Sequence, residues 1–180
     1  MNKPVRTATA DLYIGYANFI VTDWSGSCPD MELAYVNGLV GSDFNGALVL
    51  TGITDGPVTV TVQLLDTAPD SVELDDWDDV AEVSVESEDG ELIAHDLAAD
   101  PPPEFSDLAH AGPGTYRLRV HARGRDIAPH LNIQEPVENY LLSVWPAPEA
   151  PDVVYKQSDE RGQEYRAELR PRPSRRARQA

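Results

Sequence analysis

A chain of 180 residues, 41% hydrophobic and 25% charged, is long enough for one domain with a real apolar core, and its 15 prolines argue against long helices. The net charge of −17 repels nucleic acid and anionic membranes and favours a basic partner; no run approaches the roughly 20 apolar residues of a spanning helix. The lone Cys28 excludes an internal disulfide and a cysteine-built zinc site, and with no apolar run after Lys3 and Arg6 the expected location is cytoplasmic.

Residues 11–21 (DLYIGYANFIV) carry β-branched and aromatic side chains around one glycine and read as a first strand. Residues 31–40 (MELAYVNGLV) suit either a short helix or a strand, while 45–51 (NGALVLT) form a strand entered by a turn at Asn45-Gly46. From Pro57 to Asp66, Val58, Val60, Val62 and Leu64 alternate with Thr59, Thr61 and Gln63, the period of a half-buried strand. The same period returns at Ala81, Val83 and Val85, and the turn signal Asp89-Gly90 predicts a hairpin with residues 91–97 (ELIAHDL). Four prolines and two glycines make 100–114 a loop. Tyr116, Leu118, Val120 and Ala122 then alternate with Arg117, Arg119, His121 and Arg123, and a further strand, 137–145 (VENYLLSVW), is stopped by Pro146, Pro148 and Pro151. The pattern predicts an all-β domain over 1–156, an antiparallel β-sandwich of about seven to nine strands, followed by a basic, disordered tail over 157–180.

Charge is distributed unevenly. Between Thr7 and Tyr116 there is no lysine or arginine but there are 22 acidic residues, most densely over 70–91, where Trp77 sits among Asp75, Asp76, Asp78 and Asp79. Carboxylates around one aromatic anchor suit a surface that docks on a basic protein; a solvated loop with Trp77 tucked into the core is the alternative. Arg117, Arg119, His121 and Arg123 share one strand face at about 7 Å intervals. They form a stripe that either binds an anion or small ligand or pairs across strands with Glu82, Glu86 or Glu138. The tail from Arg161 to Arg178 holds seven arginines, the one segment suited to nucleic acid.

Motifs for catalysis are absent. Asp75-Asp76-Trp77-Asp78-Asp79 lacks the spacing and glycine of a calcium loop, the four histidines are scattered, and Ser25-Gly26-Ser27-Cys28 runs into Pro29 rather than a helix. No metal, cofactor or catalytic residue is expected. The favoured reading is a non-enzymatic acidic binding protein, an inhibitor or immunity protein that docks on a basic nuclease or toxin through Asp75, Asp76, Trp77, Asp78 and Asp79. The alternative is a module that binds a small molecule or carbohydrate at the arginine stripe.

The segments GPGTYRLRVHARGRD (112–126) and EPVENYLLSVWPAP (135–148) resemble a group of uncharacterised proteins from high-GC bacteria that share this two-strand ending. More distantly, LYIGYANFIVTD (12–23) and the Gly-x-Tyr-x-Leu of 114–118 resemble the competence-associated nuclease inhibitor family of bacteria. That resemblance implies a small β protein with an inhibitory partner role. It carries over no individual residue, and the acidic stretch 66–91 and the basic tail depart from the pattern.

Overall fold

The computed structural model describes residues 3–169. In chain order the elements are β1 (Arg6–Ile14), β2 (Asn18–Asp23), α1 (Met31–Tyr35), β3 (Val40–Asp43), β4 (Gly46–Leu50), β5 (Gly56–Leu64), β6 (Asp79–Ser87), β7 (Leu92–His95), β8 (Gly114–Arg123), β9 (Asn139–Pro146), β10 (Val153–Gln157) and α2 (Glu160–Glu168), with a 3-10 turn at Pro103–Phe105. The chain is largely β and forms two sheets. Sheet A has the order β1-β5-β9-β8-β6-β10, and sheet B the order β3-β4-β2-β7.

Alternation decides which side of each strand is buried. In β5, Val58, Val60, Val62 and Leu64 are fully buried while Thr59, Thr61 and Gln63 stay partly exposed, and each buried aliphatic side chain contributes about 1.5–3 kcal/mol. They join Leu118, Val120, Leu142 and Val144 of sheet A with Phe19, Val21, Val49, Leu92 and Ala94 of sheet B in one apolar core. A smaller cluster, Ile20, Leu48 and Leu50, lies on the other face of sheet B beneath Ala34 of α1 and Tyr165 of α2. No described helix is long and apolar enough to cross a membrane.

Four expectations need correction. The single strand expected over 11–21 is two strands in different sheets, broken at Tyr16 and Ala17, whose φ values of 55° and 60° are left-handed. Such a turn normally advertises itself by Gly or Asn, so the sequence hides it. The expected hairpin at Asp89-Gly90 is a crossing between sheets: β6 pairs with β8 and β10, whereas β7 pairs with β2. Buried Asp23 holds that crossing, its carboxylate accepting from the Glu88 and Asp89 amides at 2.7 and 3.1 Å and from the Ser87 hydroxyl. Pairing between named strands is antiparallel except for β5 and β9, which run parallel from Thr59 opposite Asn139 to Leu64 opposite Val144. Parallel neighbours need a long connection, and here it runs from Leu65 to Glu138 by way of β6, β7 and β8. Finally, the expected disordered tail begins with the end of β10 and with α2; the rest of it, 170–180, lies outside the described residues.

What holds α2 down is Arg125, a completely buried guanidinium. Its Nε and one terminal nitrogen donate to the two carboxylate oxygens of Asp159, at 2.6 and 2.8 Å. The latter nitrogen also donates to Asp79 at 3.0 Å, and the other reaches the carbonyls of Gly38 and Leu50 at 2.8 and 3.3 Å. Asp159 is at once the N-cap of α2, accepting from the Gly162 amide at 2.7 Å. Gly38 has a φ of +78°, and a Cβ there would come within 2.4 Å of the Gly162 carbonyl, so only glycine lets the helix start this close. Arg125→Met leaves Asp79 and Asp159 buried without their cation and should cost about 3–5 kcal/mol, read as a lowered urea midpoint. Arg125→Lys keeps the charge but loses the fork and should fall between that variant and the native protein.

Candidate functional site

The acidic stretch and the arginine stripe meet on the outer face of sheet A. Arg117 and Arg119 point away from the core, and the same strand register sets Glu82 of β6 opposite Arg119. Glu82 accepts from Arg117 Nε at 2.8 Å and from Arg119 Nε at 2.9 Å. Arg117 also donates to Ser84 Oγ and to the Ala150 and Pro151 carbonyls, and the Arg119 guanidinium lies 5.1 and 5.0 Å from the ring centres of Trp145 and Tyr155. Arg117 and Arg119 are 4% and 5% exposed, so both cations are enclosed with their carboxylate rather than offered to solvent.

Residues 65–78 run over this face as a strap. His121 is buried at 5.3 Å from the Trp77 ring, and the Arg123 guanidinium lies 5.1 Å over that ring from the solvent side. Trp77 is therefore half-buried between the Arg123 guanidinium and the His121 ring, a pin for the strap more than a free anchor. Further bonds fasten the strap: Lys156 Nζ to the Leu74 carbonyl at 2.9 Å, the Asp78 amide to the Ala122 carbonyl at 2.9 Å, and the Gly124 amide to the Asp78 carboxylate at 2.9 Å. Asp75 and Asp76, with Glu73, are exposed. Asp79 is not: it is 1% exposed, bonded to Arg125 and to the Ser158 and Asp159 amides, and burial holds its pKa above the ordinary carboxylate value even against Arg125.

The five acidic-stretch residues thus divide by role. Asp75 and Asp76 face solvent, Asp78 and Trp77 secure the strap, and Asp79 belongs to the Arg125 cluster. In the stripe, Arg117, Arg119 and His121 are interior and only Arg123 is exposed. Sequence reasoning missed the fully buried Arg125 and offered the equally buried Glu138 only as a cross-strand partner for the arginine stripe, which it is not: its bonds go elsewhere. Glu138 is fully buried and accepts from the Gly52 and Ile53 amides at 3.1 and 2.6 Å and from the Tyr140 hydroxyl at 2.5 Å; burial raises its pKa. These bonds tie β9 to the loop after β4 and leave the carboxylate without access to a substrate. Cys28 is exposed, but partial burial and Asp43 push its thiol pKa up, opposite to the shift that activates a nucleophilic thiolate.

Burial and the adjacent Arg119 charge lower the His121 pKa from 6.5 to about 4, outweighing the backbone groups of Leu141 and Glu73. The unfolded chain therefore binds this proton between those two values and the folded one does not. Stability rises with pH across that window, and as pH falls through it about 3 kcal/mol is lost. Urea midpoints measured from pH 7 to 4 should fall less steeply for His121→Leu than for the native protein. Glu82→Gln leaves Arg117 and Arg119 together in the interior and should cost about 3–5 kcal/mol at neutral pH, checked by the same method.

No family model matches the chain, and no curated protein does. Solved structures similar to it include the crystal structure of ComJ, inhibitor of the DNA degrading activity of NucA, from Bacillus subtilis. It superposes with a TM-score of 0.54 at 17% identity, covering 82% of this chain and 99% of that one. Crocagin biosynthetic gene J is similar at a TM-score of 0.48 and 19% identity, over 79% of this chain and 98% of that one. At these identities the likeness to ComJ is one of fold, and it agrees with the resemblance read from residues 12–23 and 114–118.

Proposed function

We propose that this protein is a non-enzymatic inhibitor, of the immunity-protein kind, in which a two-sheet sandwich holds an acidic surface rigid for docking on a basic nuclease. The observation that carries this reading is the separation of its charges. Arg117 and Arg119 of β8 are enclosed with Glu82, while Asp75 and Asp76 of the cation-free stretch face solvent. A field of one sign steers an oppositely charged partner, and the pinning of the strap by Trp77 and Lys156 holds Asp75 and Asp76 in place to contribute to that field. The ComJ fold supports the choice of partner class, since that protein inhibits a DNA-degrading nuclease. In this reading Arg117, Arg119 and His121 are the frame under the strap, and Glu82 fills the place a small anionic ligand would take.

Purified protein mixed with a panel of bacterial DNA-degrading nucleases, NucA among them, should inhibit at least one stoichiometrically. The inhibition should weaken by about tenfold or more as salt rises from about 0.05 to about 0.5 M. Asp75→Asn with Asp76→Asn should weaken it at low salt and reduce that salt dependence. Failure to inhibit any nuclease, or inhibition indifferent to salt, would count decisively against the proposal.

A further inference from the structure

Alternation gives sheet B two different outer regions. Near α1 and α2, Ile20, Leu48 and Leu50 are covered by Ala34 and Tyr165. Toward the β7 edge the outward positions are Ile93, which is buried, and His95, which is half-buried, since Leu92 and Ala94 point into the core; neither α1 nor α2 reaches this end, which the loop carrying the 3-10 turn borders instead. Trp24, the residue after β2, stands there 59% exposed, its ring 6.5 Å from that of His95, with Leu97 66% exposed beyond it. Trp24 separates two shallow hollows, one lined by His95, Leu97 and Asp100, the other by Glu91 and Asp107. Neither hollow has a lysine or arginine among its lining residues.

The contrast with Trp77 is instructive. That indole already has Arg123 over its ring and His121 against it, whereas among the described residues no cation lies over Trp24, which has carboxylates on both sides. Arg6 is half-buried and donates to the carbonyl of Ser106, a lining residue of the second hollow, at 2.6 Å. His95 adds no positive charge at neutral pH, because burial lowers its pKa.

We propose that the exposed Trp24 and Leu97 at this end of sheet B anchor the partner that the acidic strap helps to steer, and that the occupant is a segment of a basic protein whose lysine or arginine heads lie over Trp24 and whose aliphatic stems rest on Leu97. The inference rests on the inhibitor reading above and gives it a place. A large exposed aromatic ringed by carboxylates is the arrangement that binds a guanidinium or ammonium face-on while the ring and Leu97 exclude water around the stem. The carboxylates of Glu91, Asp100 and Asp107 supply the attraction and discriminate against acidic partners.

The test uses the full-length protein and two probes, a synthetic peptide rich in lysine, arginine and leucine and a basic DNA-degrading nuclease. In titrations of 15N-labelled protein with the peptide, the largest shifts should fall on the Trp24 indole, His95 and Leu97. Trp24→Ala and Leu97→Ser should each weaken binding by about tenfold, and Asp75→Asn with Asp76→Asn by less than about threefold. Both altered positions are exposed, and unchanged melting temperatures verify that the fold is kept. Shifts confined to the strap, or a Trp24→Ala affinity within about twofold of the native protein, overturn the proposal. A nuclease inhibited equally well by native protein and Trp24→Ala overturns this surface while the inhibitor reading stands. Peptide engagement at Trp24 with no nuclease inhibited supports the surface and counts against the nuclease as partner.

Discussion

The Arg125 guanidinium is the point on which the rest of the structure depends. It follows β8 directly, yet its bonds reach Asp79 at the start of β6, Asp159 at the start of α2, and the Gly38 and Leu50 carbonyls on either side of the β3-β4 hairpin of sheet B. A buried cation is tolerable only when every donor is satisfied. These contacts therefore fix where the two sheets meet and oblige the chain after β10 to return over sheet B. Burial alone would lower the pKa of this group; the two carboxylates reverse that and raise it, so it stays charged.

The same requirement explains how a chain of net charge −17 can hold buried arginines at all. Glu82 between Arg117 and Arg119, and Asp79 with Asp159 around Arg125, are interior ion clusters whose acids come partly from the acidic stretch itself. Acidity in the sequence and acidity at the surface are accordingly different quantities. Sheet A is where the two signs meet, because it contains β8. All four strands of sheet B come from the stretch between Thr7 and Tyr116, which has no lysine or arginine, so the sheet supplies no such cation to the carboxylates around its Trp24 end.

Much of the β architecture was legible because a strand with two unlike faces shows a period of two: β5, half-buried, alternates valine with threonine, and β8, buried on both faces, alternates apolar residues with arginine and histidine. What was not legible depended on contacts distant in sequence. Asp89-Gly90 signals a turn equally well whether the chain pairs back or crosses to the other sheet, and it is Asp23, more than sixty residues earlier, that decides. Helix α2 has a polar composition and only Tyr165 as an apolar buried side chain; its N-cap Asp159 and first-turn Glu160 were readable signals, but the stabilising partner, Arg125, is 34 residues away. Nothing in VTDWSGSCPD distinguishes the exposed Trp24 from the half-buried Trp77, since exposure is set by what packs above a side chain rather than by its neighbours in sequence.

The central claim, that part of the acidity is enclosed in the interior while Asp75, Asp76, Glu91, Asp100 and Asp107 face solvent, is tested most directly by carbodiimide labelling of carboxylates in the native protein, followed residue by residue with mass spectrometry. Glu82, Asp79, Asp159 and Glu138 should remain unlabelled for as long as the fold persists, while Asp75, Asp76, Glu91, Asp100 and Asp107 react quickly. Labelling of Glu82 and Asp79 at the rate of the exposed acids would contradict it.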